Sequence, residues 1–254
     1  MKTLRRLMFA FAGAAAAAAA GIAAGAAAPA YIVAALANAD RPADDQKRDA
    51  ARKPGDVIAF AQLKPGETVE DLIPGTGYYD RIFAGVVGPK GHVYGFYPTE
   101  LTNFRKVQLP PTGATPDPKF PNFTAVTASV NDFAAPAPVD VVWLSDNYHD
   151  LHDPFFAPAD LAKINAAVFK ALKPGGTYLI VDHAAEKGSG LRDTNTLHRI
   201  DEASVKAEVE AAGFTLVGES DVLRNPADDH TKKIFDPSIR GETDQFVLRF
   251  RKPR

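Results

Sequence analysis

The chain has 254 residues, 46% of them hydrophobic and 24% charged, with a formal net charge of −2. That is a globular composition with enough apolar material for one sizeable core. The chain contains no cysteine, which excludes disulfides, thiolate metal sites and cysteine nucleophiles. Its lack of a basic surplus argues against a nucleic-acid partner.

Residues 1–39 differ in kind from the rest. Lys2, Arg5 and Arg6 open them with positive charge. An uncharged Ala/Gly-rich run follows from Leu7 to Asn38, ending on the small-x-small pattern Ala37-Asn38-Ala39 before Asp40. This is the layout of a secretory signal peptide. It predicts an exported, periplasmic protein with no stable membrane insertion once the signal is cut. The alternative is an uncleaved anchor, since the run is long enough to span a bilayer. Arg5-Arg6 also hints at twin-arginine export, although the flanking residues fit that signal poorly. Loss of the segment lowers the basic count from 29 to 26 against 31 acidic residues, a net of −5.

Residues 40–54 are polar and read as a linker or loose helix, and the main domain is expected over 55–254. Asp56 to Leu63 predicts a short helix, stopped by Lys64-Pro65-Gly66. Thr68 to Ile73 predicts a strand, a glycine turn follows, and Tyr79 to Val87 predicts a helix ended by Gly88-Pro89. His92 to Tyr97 reads as the second strand, Glu100 to Val107 as a short helix, and Leu109 to Pro121 as a proline-rich loop. Asn122 to Val126 is a weak third strand. Val139 to Ser145 (VDVVWLS) is the fourth, and its near-continuous apolar run suits a strand buried on both faces. Ala159 to Leu172 is an amphipathic helix stopped by Lys173-Pro174-Gly175-Gly176, and Thr177 to Asp182 is the fifth strand. Asp201 caps a helix running to Ala212. Phe214 to Val222 and Gln245 to Arg251 close the chain as strands with no helix between them, which permits antiparallel pairing. The twenty or so residues between them lack periodicity, as lids and binding loops often do. Strands alternating with helices imply a doubly wound α/β sheet.

Gly75 and Gly77 follow the first strand and precede a helix, where backbone can approach a ligand closely. Taken in order, LKPGETVEDLIPGTGYYDRIF, GPKGHVYGF, VDVVWLSDNYHDL, ALKPGGTYLIVDH and EAAGFTLVGES make most of Arg52 to Lys252 resemble the class I S-adenosylmethionine-dependent methyltransferases. More narrowly, the chain resembles an exported bacterial branch of predicted methyltransferases. The resemblance implies a Rossmann-like, mostly parallel seven-stranded sheet with an antiparallel last strand, and S-adenosylmethionine as cofactor. It places Asp71, Gly75 and Gly77 at the cofactor turn and Asp146 beyond the fourth strand. Tyr97 stands where the family has the acid that grips the ribose hydroxyls, with Glu100 as a substitute three residues on. Asp132, in Asn131-Asp132-Phe133, falls where the family contacts adenine. Ile73-Pro74 replaces the first glycine of the family's G-x-G-x-G. A β-branched residue disfavours positive φ, so the turn is expected to begin in extended geometry.

A polar cluster follows the fourth and fifth strands: Asp146 to Asp153 (DNYHDLHD) and Asp182-His183. These strands should be neighbours, so the two groups can converge. His149 or His183 is the expected base toward a small-molecule acceptor, with Asp150 or Asp182 orienting it. The bland alternative has Asp150 and Asp153 capping turns. The same cluster has the ligand chemistry of a zinc or iron site, but no metal is assigned, because no HExxH or similar helical spacing occurs and neighbouring loop residues need not point together. His198 to Asp201 could overhang the site, with Arg199 pairing either an anionic ligand or a surface acid. There is no G-x-S-x-G elbow, and Asp80 at the third position of a dinucleotide turn would repel pyrophosphate. Three functions remain: methyl transfer to a small molecule, an exported non-catalytic binding domain on the same scaffold, or a metal-assisted lyase or hydrolase.

Overall fold

In a computed structural model, residues 28–104, 108–117, 120–156 and 159–254 are described. The helices are α1 (Ala30–Leu36), α2 (Ala43–Arg52), α3 (Pro54–Ala61), α4 (Tyr78–Val87), α5 (Leu101–Phe104), α6 (Leu161–Ala171), α7 (Thr194–Leu197) and α8 (Glu202–Ala211). The strands are β1 (Thr68–Leu72), β2 (His92–Pro98), β3 (Gly113–Pro116), β4 (Phe123–Ala128), β5 (Val139–Ser145), β6 (Leu172–His183), β7 (Thr215–Ser220) and β8 (Gln245–Arg251). They form one sheet in the order β3-β4-β2-β1-β5-β6-β8-β7. The strands from β4 to β6 run parallel, and β8 enters antiparallel between β6 and β7. The doubly wound sheet and its inserted last strand are therefore as expected. The eighth strand was not: β3 lies inside the proline-rich loop and pairs antiparallel with β4 at the sheet edge. Proline is tolerated on an edge strand, and a short exposed strand carries no hydrophobic period to betray it.

Both faces of the sheet are covered. Along β5, Val142 and Leu144 join the core formed with Ile164 and Val168 of α6 and Val205 and Val209 of α8. Val141 and Trp143 point the other way, to Val57 and Ile58 of α3 and Ile82, Phe83 and Val86 of α4. Side chains alternate with period two, so a continuous apolar run is what two buried faces require. The parallel strands end at one edge, and the loops beyond their carboxyl ends form the functional face.

The N-terminal part departs from a loose linker. Ile32 of α1 is fully buried and Ala35 nearly so, both in the core beside α4. Gly85 makes this approach possible, since a Cβ there would stand 2.9 Å from that of Ala35. The expected leader boundary after Ala39 thus falls inside a packed unit, while residues 1–27 of that leader lie outside the described residues. Among the described residues no helix is long and apolar enough to cross a membrane. Helix α2 is clamped down by ion pairs: Arg41 with Asp49 at 2.6 Å, Arg81 with Asp45 at 2.5 Å, and Arg52 with Asp146 at 2.5 Å.

Candidate functional site

A cleft of about 730 Å³ opens beyond the carboxyl ends of β1, β2, β5 and β6. One wall is the β1–α4 turn. Ile73, Gly75 and Gly77 all have positive φ, at 68°, 61° and 75°. The expectation that Ile73 begins the turn in extended geometry is therefore overturned. Its N–H donates to Phe96 O (3.0 Å), and its side chain is buried among Leu72 and Phe96. Sheet pairing and core packing hold a β-branched residue in a conformation that costs about 1–2 kcal/mol. Gly77 N–H then closes the turn on Pro74 O at 3.0 Å. Gly75 lines the cleft, and a Cβ there would meet nothing within 4 Å. Gly77 is set back from the wall instead. It precedes α4, and a Cβ there would meet the Arg81 guanidinium at 3.0 Å.

Asp71 and Tyr97 both line the cleft. Behind them Tyr97 donates its hydroxyl to Asp80 Oδ2 at 3.2 Å, and Asp71 and Asp80 share a hydrogen bond. Burial, then the neighbouring Asp80, pushes Asp71 well above the usual carboxylate range. Burial also raises Asp80, against the hydrogen bonds from Tyr97 and Asp71 and the charge of Arg81. Two such carboxyls in contact retain a proton between them. The acid missing from the end of β2 is thus delivered to Tyr97 from α4. Sequence reasoning saw Asp80 only as an acid unsuited to pyrophosphate.

Two expected cofactor contacts do not reach the cleft. Glu100 accepts from Ser129 Oγ at 2.6 Å and from Val130 N–H at 3.0 Å, capping the turn after β4. The side chain of Asp132 is 72% exposed and stands 4.0 Å from Lys163 Nζ. Glu100 thus serves a turn, and Asp132 faces solvent beside Lys163.

The opposite wall comes from the tips of β5 and β6. Asp146 has φ 60° and is held by Arg52 and by Gln245 Nε2 at 2.7 Å. Burial alone would raise its pKa, but the charges of Arg52 and the neighbouring histidines, with the Gln245 hydrogen bond, together outweigh it and hold it down. Arg52 also lies over the rings of Tyr78 and Tyr79, 5.0 and 5.8 Å from their centres. With Lys47 and Arg48 it makes α2 a cationic part of the cleft lining.

Asp182 is fully buried and orients His149. It accepts from His149 Nδ1 and from His149 N–H, both at 2.8 Å, and from His183 N–H at 2.7 Å. Burial disfavours the charged imidazole, yet Asp182 and Asp150 outweigh it and raise His149 well above its ordinary pKa. Asp150 is pushed down to about 2, because its hydrogen bonds to His149 and His198 exceed the cost of its burial. His183 goes the other way: burial lowers its pKa despite Asp146 and Asp182. Its Nδ1 meets Thr243 Oγ1 at 2.8 Å and its ring lines the cleft. Of the two expected bases, His183 is the one kept neutral. His198 does overhang the site, 3.4 Å from His149 Nε2. Arg199 does not; it is buried against Asp228 at 2.8 Å and the carbonyls of Ala184 and Lys232. The segment between β7 and β8 supplies Ile234, Phe235, Arg240, Gly241 and Thr243 to the cleft wall.

No family model matches the chain. Over 184 residues it is 27% identical to the ubiquinone/menaquinone biosynthesis C-methyltransferase UbiE of Vibrio cholerae, a match covering 70% of this chain and 65% of that protein. The chain thus spans less than two thirds of that relative's length. Among solved structures it is similar to a SAM-dependent methyltransferase from Aquifex aeolicus, with a TM-score of 0.53 and 21% identity over 83% of this chain and 98% of that one. The fold is the class I methyltransferase fold. Its reach is wider than one chemistry: the 4+2 cyclase SpnF superposes with a TM-score of 0.52 at 14% identity, over 87% of this chain and 91% of that one.

Within this methyltransferase fold the cleft sits at the expected edge. The resemblance read from the glycine turn and the LKPGG and AAGF segments is borne out by both kinds of comparison. The turn itself begins left-handed, with isoleucine where the resemblance implies glycine.

Proposed function

We propose that this protein is an S-adenosylmethionine-dependent methyltransferase acting on a small-molecule acceptor. The single observation that carries the reading is the cleft itself. It joins an open, left-handed turn at Gly75, with Asp71 and Tyr97, to a histidine-bearing wall at His183 and His149. The open space at Gly75 fits a cofactor pressed against backbone, which a side chain would obstruct. Ile73, Gly75, Asp71 and Tyr97 would hold S-adenosylmethionine, with Lys47, Arg48 and Arg52 as partners for its carboxylate. When bound, the cofactor supplies a methyl group already activated on a sulfonium. The protein's main task is then alignment, which the rigid tips of β1, β5 and β6 provide. In the tautomer that donates Nδ1–H to Thr243, His183 leaves Nε2 as the acceptor for a proton from the nucleophile.

The test is calorimetric titration of S-adenosylmethionine and S-adenosylhomocysteine into the full chain. Binding in the micromolar range is expected, weakened at least tenfold by Gly75→Asp with circular dichroism unchanged. Aspartate tolerates the left-handed region, so the variant tests the open space and not the turn. A folded chain that ignores millimolar ligand would sink the reading and leave a non-catalytic binding domain on this scaffold.

We also propose export to the periplasm, supported by the charged start and apolar run of residues 1–27. The burial of Ile32 favours processing upstream of α1 over processing after Ala39. N-terminal sequencing of the secreted protein decides: a mature chain beginning at Asp40 would overturn that placement.

A further inference from the structure

The histidine-bearing wall holds an arrangement that proton transfer by His183 does not use. His149 Nε2 lies 3.1 Å from Asp150 Oδ1, His198 Nδ1 lies 3.4 Å from the same oxygen, and the two imidazole nitrogens are 3.4 Å apart. The three atoms make a nearly equilateral triangle. Donors bound to one ion at about 2.0–2.1 Å with tetrahedral angles stand roughly 3.3 Å from one another. All three residues line the cleft. From this geometry we propose that His149, Asp150 and His198 form a binding site for one divalent first-row metal ion, of the zinc or iron(II) class, at the acceptor end of the cleft. Two imidazoles and one carboxylate select such ions over magnesium or calcium, which prefer oxygen alone.

Two independent observations point the same way. Asp182 takes the Nδ1–H of His149 on one oxygen and its backbone N–H on the other. A carboxylate that fixes an imidazole in this manner turns the other nitrogen forward as a ligand, the usual support behind a metal-binding histidine. The second is Asp153. Its side chain is fully buried, Thr194 is its one hydrogen-bonding neighbour, and Oδ2 lies 3.9 Å from His198 Nδ1. A buried carboxylate with so few partners is costly, and a nearby cation removes much of that cost. Among the described residues the ion pairs of Asp150, Asp153 and Asp182 are all to histidine. Two imidazole protons or one divalent ion would balance this charge equally, and the ion in addition accounts for the two imidazole nitrogens facing one another at 3.4 Å.

The spacing hid the site. His149 and Asp150 are consecutive, yet both reach inward because residues 149–152 form a tight 3₁₀ turn. His198 arrives from beyond α7 with φ 54°. The use of the ion, though not its presence, rests on the proposed methyl transfer. The rings of His149 and His183 lie 6.1 Å apart, so the ion and the proposed base address one acceptor. That pairing selects an acceptor with an oxygen donor, a phenol or an enol, whose acidity the ion raises.

The experiment is metal analysis of the full chain after exposure to Zn²⁺ or Co²⁺ and removal of loose ions, with no cofactor added. One ion per chain is expected, and the Co²⁺ form should show visible absorption of a low-coordinate nitrogen and oxygen site. His198→Ala and His149→Ala should each lose the ion at least tenfold. Asp182→Asn should weaken it roughly 10–100-fold, and His183→Ala should retain it. A folded wild-type chain that keeps no stoichiometric ion overturns the proposal, as does an ion that persists in both alanine variants with circular dichroism unchanged. Because cofactor titration is a separate measurement, an ion retained without S-adenosylmethionine binding would fault the methyltransferase reading alone.

Discussion

The two walls of the cleft are built on different principles. The turn wall is local: Ile73, Gly75 and Gly77 lie within five residues, and the wall's geometry is set by backbone angles and one strand pairing. The histidine wall is assembled from afar: Asp182 meets His149 across 33 residues, and His198 meets it across 49. The first wall is fixed by steric limits on φ, the second by charges that only the finished core brings together. A local wall should therefore tolerate substitution within its conformational class. An assembled wall should fail when one buried partner is withdrawn.

The sharpest way to break this contrast is Asp182→Ala. It leaves a buried imidazole and two backbone N–H groups without their acceptor, so a loss of about 3–5 kcal/mol in denaturant unfolding is expected. A loss under about 1 kcal/mol would show that water or a neighbour replaces the carboxylate. Next in size is Ile32→Ala, which tests whether α1 belongs to the folded unit that carries both walls. Full burial of Ile32 predicts about 2–4 kcal/mol of destabilisation. An unchanged thermal midpoint would return α1 to the leader.

A third test concerns Glu70, on β1 just before the turn wall. Both its oxygens lack hydrogen-bond partners, and burial, with the charge of Asp80, pushes it up to about 8. The folded state therefore keeps a proton that the unfolded chain releases above about 4.5. Its contribution is fully present below that pH and is lost as pH rises toward 8, by about 1.4 kcal/mol per unit. Glu70→Gln should flatten the dependence of unfolding free energy on pH in this window. An unaltered slope would place the raised pKa elsewhere. The smallest expected effect is at Ile73→Gly. Relief of about 1–2 kcal/mol of backbone strain offsets most of the roughly 2–3 kcal/mol lost with a buried side chain. A net change within about 1 kcal/mol is expected. A loss above 3 kcal/mol would mean that packing alone governs the turn.

How much was legible follows the same division. The seven principal strands could be read along the chain because VDVVWLS and TYLIVD carry local period, although β6 begins at Leu172, inside the turn expected to precede it. Edge strand β3 carries no such period. Gly75 follows from the topology of strand ends, whereas Asp71 and Tyr97 follow only from the family resemblance. Glu100 and Asp132 were misplaced, since residues on such turns choose partners by rotamer, and Ser129, Val130 and Lys163 were nearer. Ile73 was misjudged because intrinsic preference is weaker than a sheet hydrogen bond plus a buried side chain.

By itself the sequence determined the alternation of elements, the two-faced sheet and the edge at which a ligand binds, since these depend on side-chain period and chain direction alone. The tertiary structure decided which charges meet. It set α1 into the core, laid α2 over the cleft, brought Asp80 under Tyr97, and converged His149, Asp150 and His198. Those outcomes depend on how distant elements pack, and desolvation in the packed interior is what gives each encounter its energy.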